Sequence, residues 1–366
     1  MKVLCTNPGA QFYNYQTEIE EGVSNVLRSN SYIMGNHVKN FEKDFSRYIG
    51  VKFGVGVANG TDAIEIALRA LEIGQGDEVI TVSHTAVATV AAIEAAGAKP
   101  VLVDIDLNSY TINPLNLKDA LTANTKAILV VHLYGQAAYL DDIIDFCEKY
   151  NLNLVEDCSQ AHGAKINGKR LGSIGKIACF SCYPTKNLGA LGDAGIITTN
   201  DYVLAEKCKM IREYGWKTKF TSELIGRNSR LDEIQACILN IKLKYLDKNN
   251  KQRRNIAENY NSLINNQFIK TPVVRDINYH VYHLYVVYTD FRDQLLEYLK
   301  ELDILAGIHY PVPIHDQPAY KNRIQVAGTL KNTNLVSRKI LSLPMYPELT
   351  NNQVEYIIQA INKFKT

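Results

Sequence analysis

Between Phe53 and Asn200 the chain alternates between two periods of apolar residues. GVGVA (54–58), EVITV (78–82), PVLVDI (100–105), AILVVHLY (127–134), NLVED (153–157), IACFSCY (177–183) and GIITTN (195–200) are short, nearly all-apolar runs. Runs of that length with β-branched residues predict strands covered on both faces. Helical patterns separate several of them. Ile64, Ala67, Leu68 and Leu71 fall at i, i+3, i+4 and i+7, one apolar stripe that Gly74 and Gly76 end. Thr85 to Ala96 and Leu140 to Tyr150 read as two further helices. Repeated strand–helix units predict an α/β fold with a mostly parallel, seven-stranded sheet flanked by helices.

After Arg230 the pattern changes. Arg230 to Leu246 is one helical run, continued on a polar face by DKNNKQRRN (247–255). Beyond it, a strand at Val281 to Tyr288, a helix at Asp293 to Leu302 and a Pro-rich loop at Tyr310 to Pro318 predict a smaller α/β domain. The expected division is 1–245 for a large domain and 246–366 for a small C-terminal one.

The formal net charge of +2 gives no electrostatic reason to bind nucleic acid or an anionic membrane. MKVLCTNPGA has no apolar leader pattern, and no apolar run approaches the roughly 20 residues of a membrane span. Seven cysteines at scattered spacings read as reduced thiols, so a cytoplasmic location is expected. Cys179-Phe-Ser-Cys182 lies in a strand pattern with no second pair, which suits neither a redox nor a zinc site. No metal is expected.

The candidate chemistry collects at strand ends. Asp157 closes NLVED, and in open α/β sheets ligands sit beyond the carboxyl ends of strands. Asn59-Gly60-Thr61-Asp62 joins a strand to a helix, where backbone N–H groups face an anion. Ser181 and Lys186 lie in FSCYPTKNLGALGDAG (180–195), which leaves a strand for a glycine-rich loop. Taken singly, such groups have ordinary structural uses as caps and solvated side chains. Together they are the set pyridoxal phosphate needs: Lys186 for its aldehyde, Asp157 for its ring nitrogen, and Gly60, Thr61 and Ser181 for its phosphate. A dinucleotide fingerprint is absent, because Asn59 stands where G-x-G-x-x-G requires a third glycine after Gly54 and Gly56.

At NGTDAIEIAL (59–68), EDCSQAHGAK (156–165), FSCYPTKNLGALGDAG (180–195), GRNSRLDEIQA (226–236) and HYPVPIHDQPAY (309–320) the chain resembles the DegT/DnrJ/EryC1/StrS sugar aminotransferases, fold-type I pyridoxal-phosphate enzymes. The resemblance implies Lys186 and Asp157 as catalytic residues. It implies Gln160 on the cofactor's ring hydroxyl and Asn228 on the phosphate of a neighbouring subunit, so that a homodimer shares its active sites. Tyr183, Tyr310, His315 and Tyr320 are expected to border a nucleotide-linked keto sugar. Lysine at 186, where some members carry histidine and dehydrate, favours amino transfer. Many relatives stack an aromatic residue on the cofactor where this chain has Ala86, so His84 is expected to cover the ring, or else to cap the next helix.

SHTAVAT (83–89) looks more like members that aminate C3 of a dTDP-linked 3-keto-6-deoxyhexose, with L-glutamate as donor. A C4 aminotransferase acting on a UDP- or dTDP-linked 4-keto sugar is the alternative. A non-catalytic or regulatory cofactor-binding protein is the reading from another class.

Overall fold

A computed structural model describes residues 1–366. Three helices precede the first strand: a seven-residue one at Pro8–Asn14, then α1 (Gln16–Arg28) and α2 (Asn36–Ile49). The apolar runs then become β1 (Phe53–Val57), β2 (Glu78–Val82), β3 (Lys99–Val103), β4 (Thr125–Val131), β5 (Asn153–Asp157), β6 (Ile177–Ser181) and β7 (Gly195–Thr199). Between them lie α3 (Gly60–Ala70), α4 (Val87–Ala95) and α5 (Leu140–Tyr150); α6 (Tyr202–Arg212), α7 (Glu233–Leu243) and α8 (Leu246–Leu263) follow. The second part of the chain adds β8 (Tyr285–Tyr288), α9 (Arg292–Glu301), β9 (Gln325–Val326), β10 (Ile340–Leu343) and α10 (Asn351–Lys363).

The large sheet runs β1-β7-β6-β5-β4-β2-β3-β9. β6, β5, β4, β2, β3 and β9 are mutually parallel. β7 is antiparallel to both β1 and β6. The seven expected strands are present, and the two-residue β9 extends one edge. All five residues of β2 and of β7 are buried, as a sheet covered on both faces requires.

Two expected elements stop early. AILVVHLY leaves the sheet after Val131, because Leu133–Gly135 forms a tight turn with Tyr134 at φ +61° and Gly135 at φ +106°. The helical run from Arg230 starts only at Glu233 and breaks between α7 and α8. At the break Tyr245 stacks on Tyr15, with ring centroids 4.3 Å apart.

One apolar core lies around the large sheet and includes Phe41, Ile64, Leu129, Ile177 and Leu246. A second is built around β8 and β10, which pair antiparallel, and includes Ile256, Tyr260, Leu299, Ile357 and Phe364. Val3 belongs to this second core; its N–H donates to the Asp303 carbonyl at 2.8 Å, and its carbonyl accepts from Leu305 N–H at 2.8 Å. α8 contributes Leu246 to one core and Ile256, Ala257 and Tyr260 to the other. No helix is long and apolar enough to cross a membrane.

Candidate active site

The carboxyl ends of β1, β5 and β6 open into a cavity of about 530 Å³. One part of its wall is made by the turn into α3. Asn59 caps that helix, its Oδ1 accepting from Asp62 N–H at 2.8 Å. Gly60 lies against Ser181, where a Cβ would come 2.5 Å from the Ser181 Cβ, so glycine alone lets the strand end and helix start approach this closely. Thr61 and Ser181 add hydroxyls to the cavity wall.

Asp157, buried at the end of β5, is held in one orientation. Its Oδ2 accepts from Thr89 Oγ1 and its Oδ1 from Ser159 N–H, both at 3.1 Å. Because the Thr89 proton is committed to Asp157, the Thr85 hydroxyl 2.9 Å away donates to Thr89. Lys186 enters the same cavity from the loop after β6. Desolvation lowers its ammonium to about 8, against the opposing attraction of Asp157. An amine with that pKa is neutral in a useful fraction near physiological pH.

Gln160 is oriented from behind. Its Oε1 accepts from Tyr134 N–H at 2.8 Å, which leaves Nε2 as the donor, 3.2 Å from Tyr310 Oη. Tyr134 reaches this place through its left-handed backbone, uncommon for a bulky residue. Its hydroxyl donates to the His309 carbonyl and so accepts from His84 Nε2, 2.7 Å away. Burial pushes His84 down to about 4, so the ring is neutral.

The candidate residues divide between cavity and surroundings. Gly60, Thr61, Asp157, Gln160, Ser181, Tyr183 and Lys186 all line the cavity. His84 does not; its ring is fully buried against Tyr134, and Ala86 lines the wall in its stead. The expectation that His84 covers a cofactor ring is corrected on that ground. The capping alternative also lacks support, since α4 begins at Val87 with no side-chain cap. Tyr310 stands behind Gln160, its phenol pushed up to about 12 by burial. His315 and Tyr320 do not line the cavity. His315 Nδ1 lies 2.7 Å from Ser83 Oγ and its Nε2 3.1 Å from Asn334 Oδ1, while Tyr320 packs with Val90, Leu102, Ile314 and Leu330. Both fasten their loop to the sheet. Asn228 is exposed and lies outside its own chain's cavity.

Thr85, Thr89, Ser159, Asp62 and Asp193 also line the cavity and were not singled out from sequence. Thr85 and Thr89 stand four residues apart at a helix start, a spacing that puts both hydroxyls on one face. His132, Glu156 and Cys158 bring potential metal-binding atoms within 4.8 Å of one another. Glu156 is already satisfied, accepting from Gly172, Ile174 and Gly175 N–H at 2.9, 3.0 and 2.7 Å and from His132 Nε2 at 3.1 Å. That carboxylate ties together the loop leading into β6.

A partly desolvated amine, an oriented carboxylate, an amide donor and an anion-facing helix start form a site for a phosphorylated aromatic aldehyde. Residues 14–362 match the DegT/DnrJ/EryC1/StrS aminotransferase family, and the chain belongs to it. Its cofactor is pyridoxal phosphate. The dTDP-3-amino-3,6-dideoxy-alpha-D-galactopyranose transaminase of Aneurinibacillus thermoaerophilus is 48% identical over 350 residues, covering 96% of each chain. A Geobacillus stearothermophilus protein called a pleiotropic regulatory protein is 43% identical, covering 100% of this chain and 99% of its own. Among solved structures, Streptomyces venezuelae DesV in complex with a ketimine intermediate superposes with a TM-score of 0.96 at 40% identity, covering 99% of this chain and 98% of that one.

Proposed function

We propose that this chain transfers the amino group of L-glutamate to C3 of a dTDP-linked 3-keto-6-deoxyhexose, giving a dTDP-3-amino-3,6-dideoxyhexose and 2-oxoglutarate. The observation that carries the sugar and the carbon is the 48% identity, across 96% of both chains, to the transaminase named for dTDP-3-amino-3,6-dideoxy-galactopyranose.

Within the cavity, Gly60, Thr61 and Ser181 hold the cofactor's phosphate, Asp157 its ring nitrogen and Gln160 Nε2 its ring oxygen. Bound pyridoxal phosphate supplies an aldehyde to carry the amino group and an electron-poor ring to take up an electron pair. Asp157 keeps that ring nitrogen protonated, and the Thr85–Thr89 chain fixes the direction of its carboxylate. Lys186 Nζ takes the proton from Cα of glutamate and delivers one to C3 of the acceptor. Tyr183, half exposed on the cavity wall, borders the sugar side, with Tyr310, His315 and Tyr320 in the loop behind it.

The protein acts as a cytoplasmic homodimer in this reading. Phe220 and Ile225, on the arm between α6 and α7, are 75% and 87% exposed, more apolar surface than an isolated loop tip needs. A second copy covers them and receives Asn228 at its phosphate. The chain divides into a large domain, 1–245, and a small one, 246–366, with the Val3 segment packed on the latter.

The test is direct. With pyridoxal phosphate the protein should be yellow, bleach on addition of L-glutamate, and recover colour with a 3-keto sugar nucleotide. Lys186→Ala should stay colourless. Mass spectrometry on a panel of 3-keto and 4-keto sugar nucleotides separates the regiochemistries, and amination of the 4-keto compounds alone would overturn C3. A coloured protein inert to glutamate would instead favour the regulatory reading that the Geobacillus relative's name suggests.

A further inference from the structure

Asn228 stands between two anchors. On one side Arg227 Nη2 pairs with Asp62 Oδ1 at 3.1 Å, and its Nη1 pairs with Glu65. On the other, the buried Ser229 Oγ accepts from Ala58 N–H at 3.1 Å. The arm is thus bolted to both limbs of the turn that opens α3. Asp62 is mostly buried and lines the cavity, one residue after Thr61. An uncompensated carboxylate there would repel a phosphate dianion, and low exposure leaves little water to screen the repulsion.

We propose that Arg227 sets the preference of this chain for a phosphorylated cofactor, by neutralising Asp62 at the mouth of the anion cradle. Its guanidinium bridges two acids one helical turn apart, Asp62 and Glu65, and Arg69 meets Glu65 from the far side at 3.0 Å. The four charges cancel, so the field at the start of α3 is left to the helix N–H groups. Without Arg227, Arg69 still pairs with Glu65, and Asp62 has no counter-ion. This proposal rests on the placement of the cofactor phosphate at Gly60, Thr61 and Ser181.

Pyridoxal and pyridoxal phosphate present the same aldehyde to Lys186, so the ratio of their affinities isolates the phosphate. Apo-protein is titrated with each and followed by visible absorbance. Arg227→Gln should reduce the wild-type ratio by about tenfold or more while changing pyridoxal affinity little. Asp62→Asn combined with Arg227→Gln should recover most of the ratio, because no unpaired acid remains. Asp62→Asn alone, with Arg227 intact, should raise it. Arg227→Gln with an unchanged ratio, or a double variant with no recovery, overturns the proposal. Should Arg227→Gln not fold, an unchanged or lower ratio in Asp62→Asn overturns it instead. Wild-type protein with no preference for the phosphorylated form would sink the cradle itself; a preference that survives Arg227→Gln sinks only the part given to Arg227.

Discussion

Lys186 carries a cost in the absence of cofactor. Its ammonium falls from an ordinary 10.5 to about 8 through desolvation. Between those values the unfolded chain holds more protons than the folded one, so this residue's contribution to stability rises with pH and is lowest below 8. Urea unfolding of apo wild type and Lys186→Met should show the wild type gaining about 2 kcal/mol on the variant between pH 7 and pH 10. A constant difference would mean that the amine is solvated. Lys186 and Asp157 were legible in sequence because Asp157 closes a strand and Lys186 lies in the loop that leaves one, and both apolar runs are unmistakable. Thr89 and Tyr134 were not: the first matters through a hydrogen bond to a residue 68 positions away. The second matters through a backbone conformation that its side chain ordinarily disfavours. His84 shows the converse. Its place two residues before Ala86 suggested the cavity, and a hydroxyl partner on Tyr134 draws it away.

At the scale of elements, the end of β6 and the start of α3 meet closely in the site. Gly60→Ala puts a methyl 2.5 Å from the Ser181 Cβ, so the two segments must separate. The expected outcome is about 1–3 kcal/mol lost, divided between folding and cofactor binding, seen as a lower melting temperature and weaker cofactor titration. An unaltered titration would show that the helix start can shift without loss. Strand identities were readable for β1 to β7 because strands buried on both faces are apolar at nearly every position. The antiparallel direction of β7 was not readable, since direction leaves no mark on composition. α2 carries a stripe at Val38, Phe41, Phe45 and Ile49, all buried, that lies ahead of the alternating region.

Across the whole molecule, the proposed sharing of sites makes a prediction that no single chain can satisfy. Lys186→Ala and Asn228→Ala are each expected to be nearly inactive. Mixed and allowed to exchange subunits, they form hybrids with one intact site, so activity should return to about a quarter of wild type. Mixtures that stay inactive, with subunit exchange verified, would place Asn228 in its own chain's site or outside catalysis. The proposed dimer could be read from the sequence only through resemblance. The exposed Phe220 and Ile225 that support it lie on an arm whose sequence is too short and polar to stand out as a surface for association.

Val3 in the second core bears on the order in which the protein can be made. A ribosome releases residue 3 long before Asp303, Leu305 and Phe364 exist, so this early segment waits without its partners. Meanwhile the large sheet, whose main strands end at Thr199, can close. Folding during synthesis can therefore run from the middle outward, with the earliest segment docking among the last.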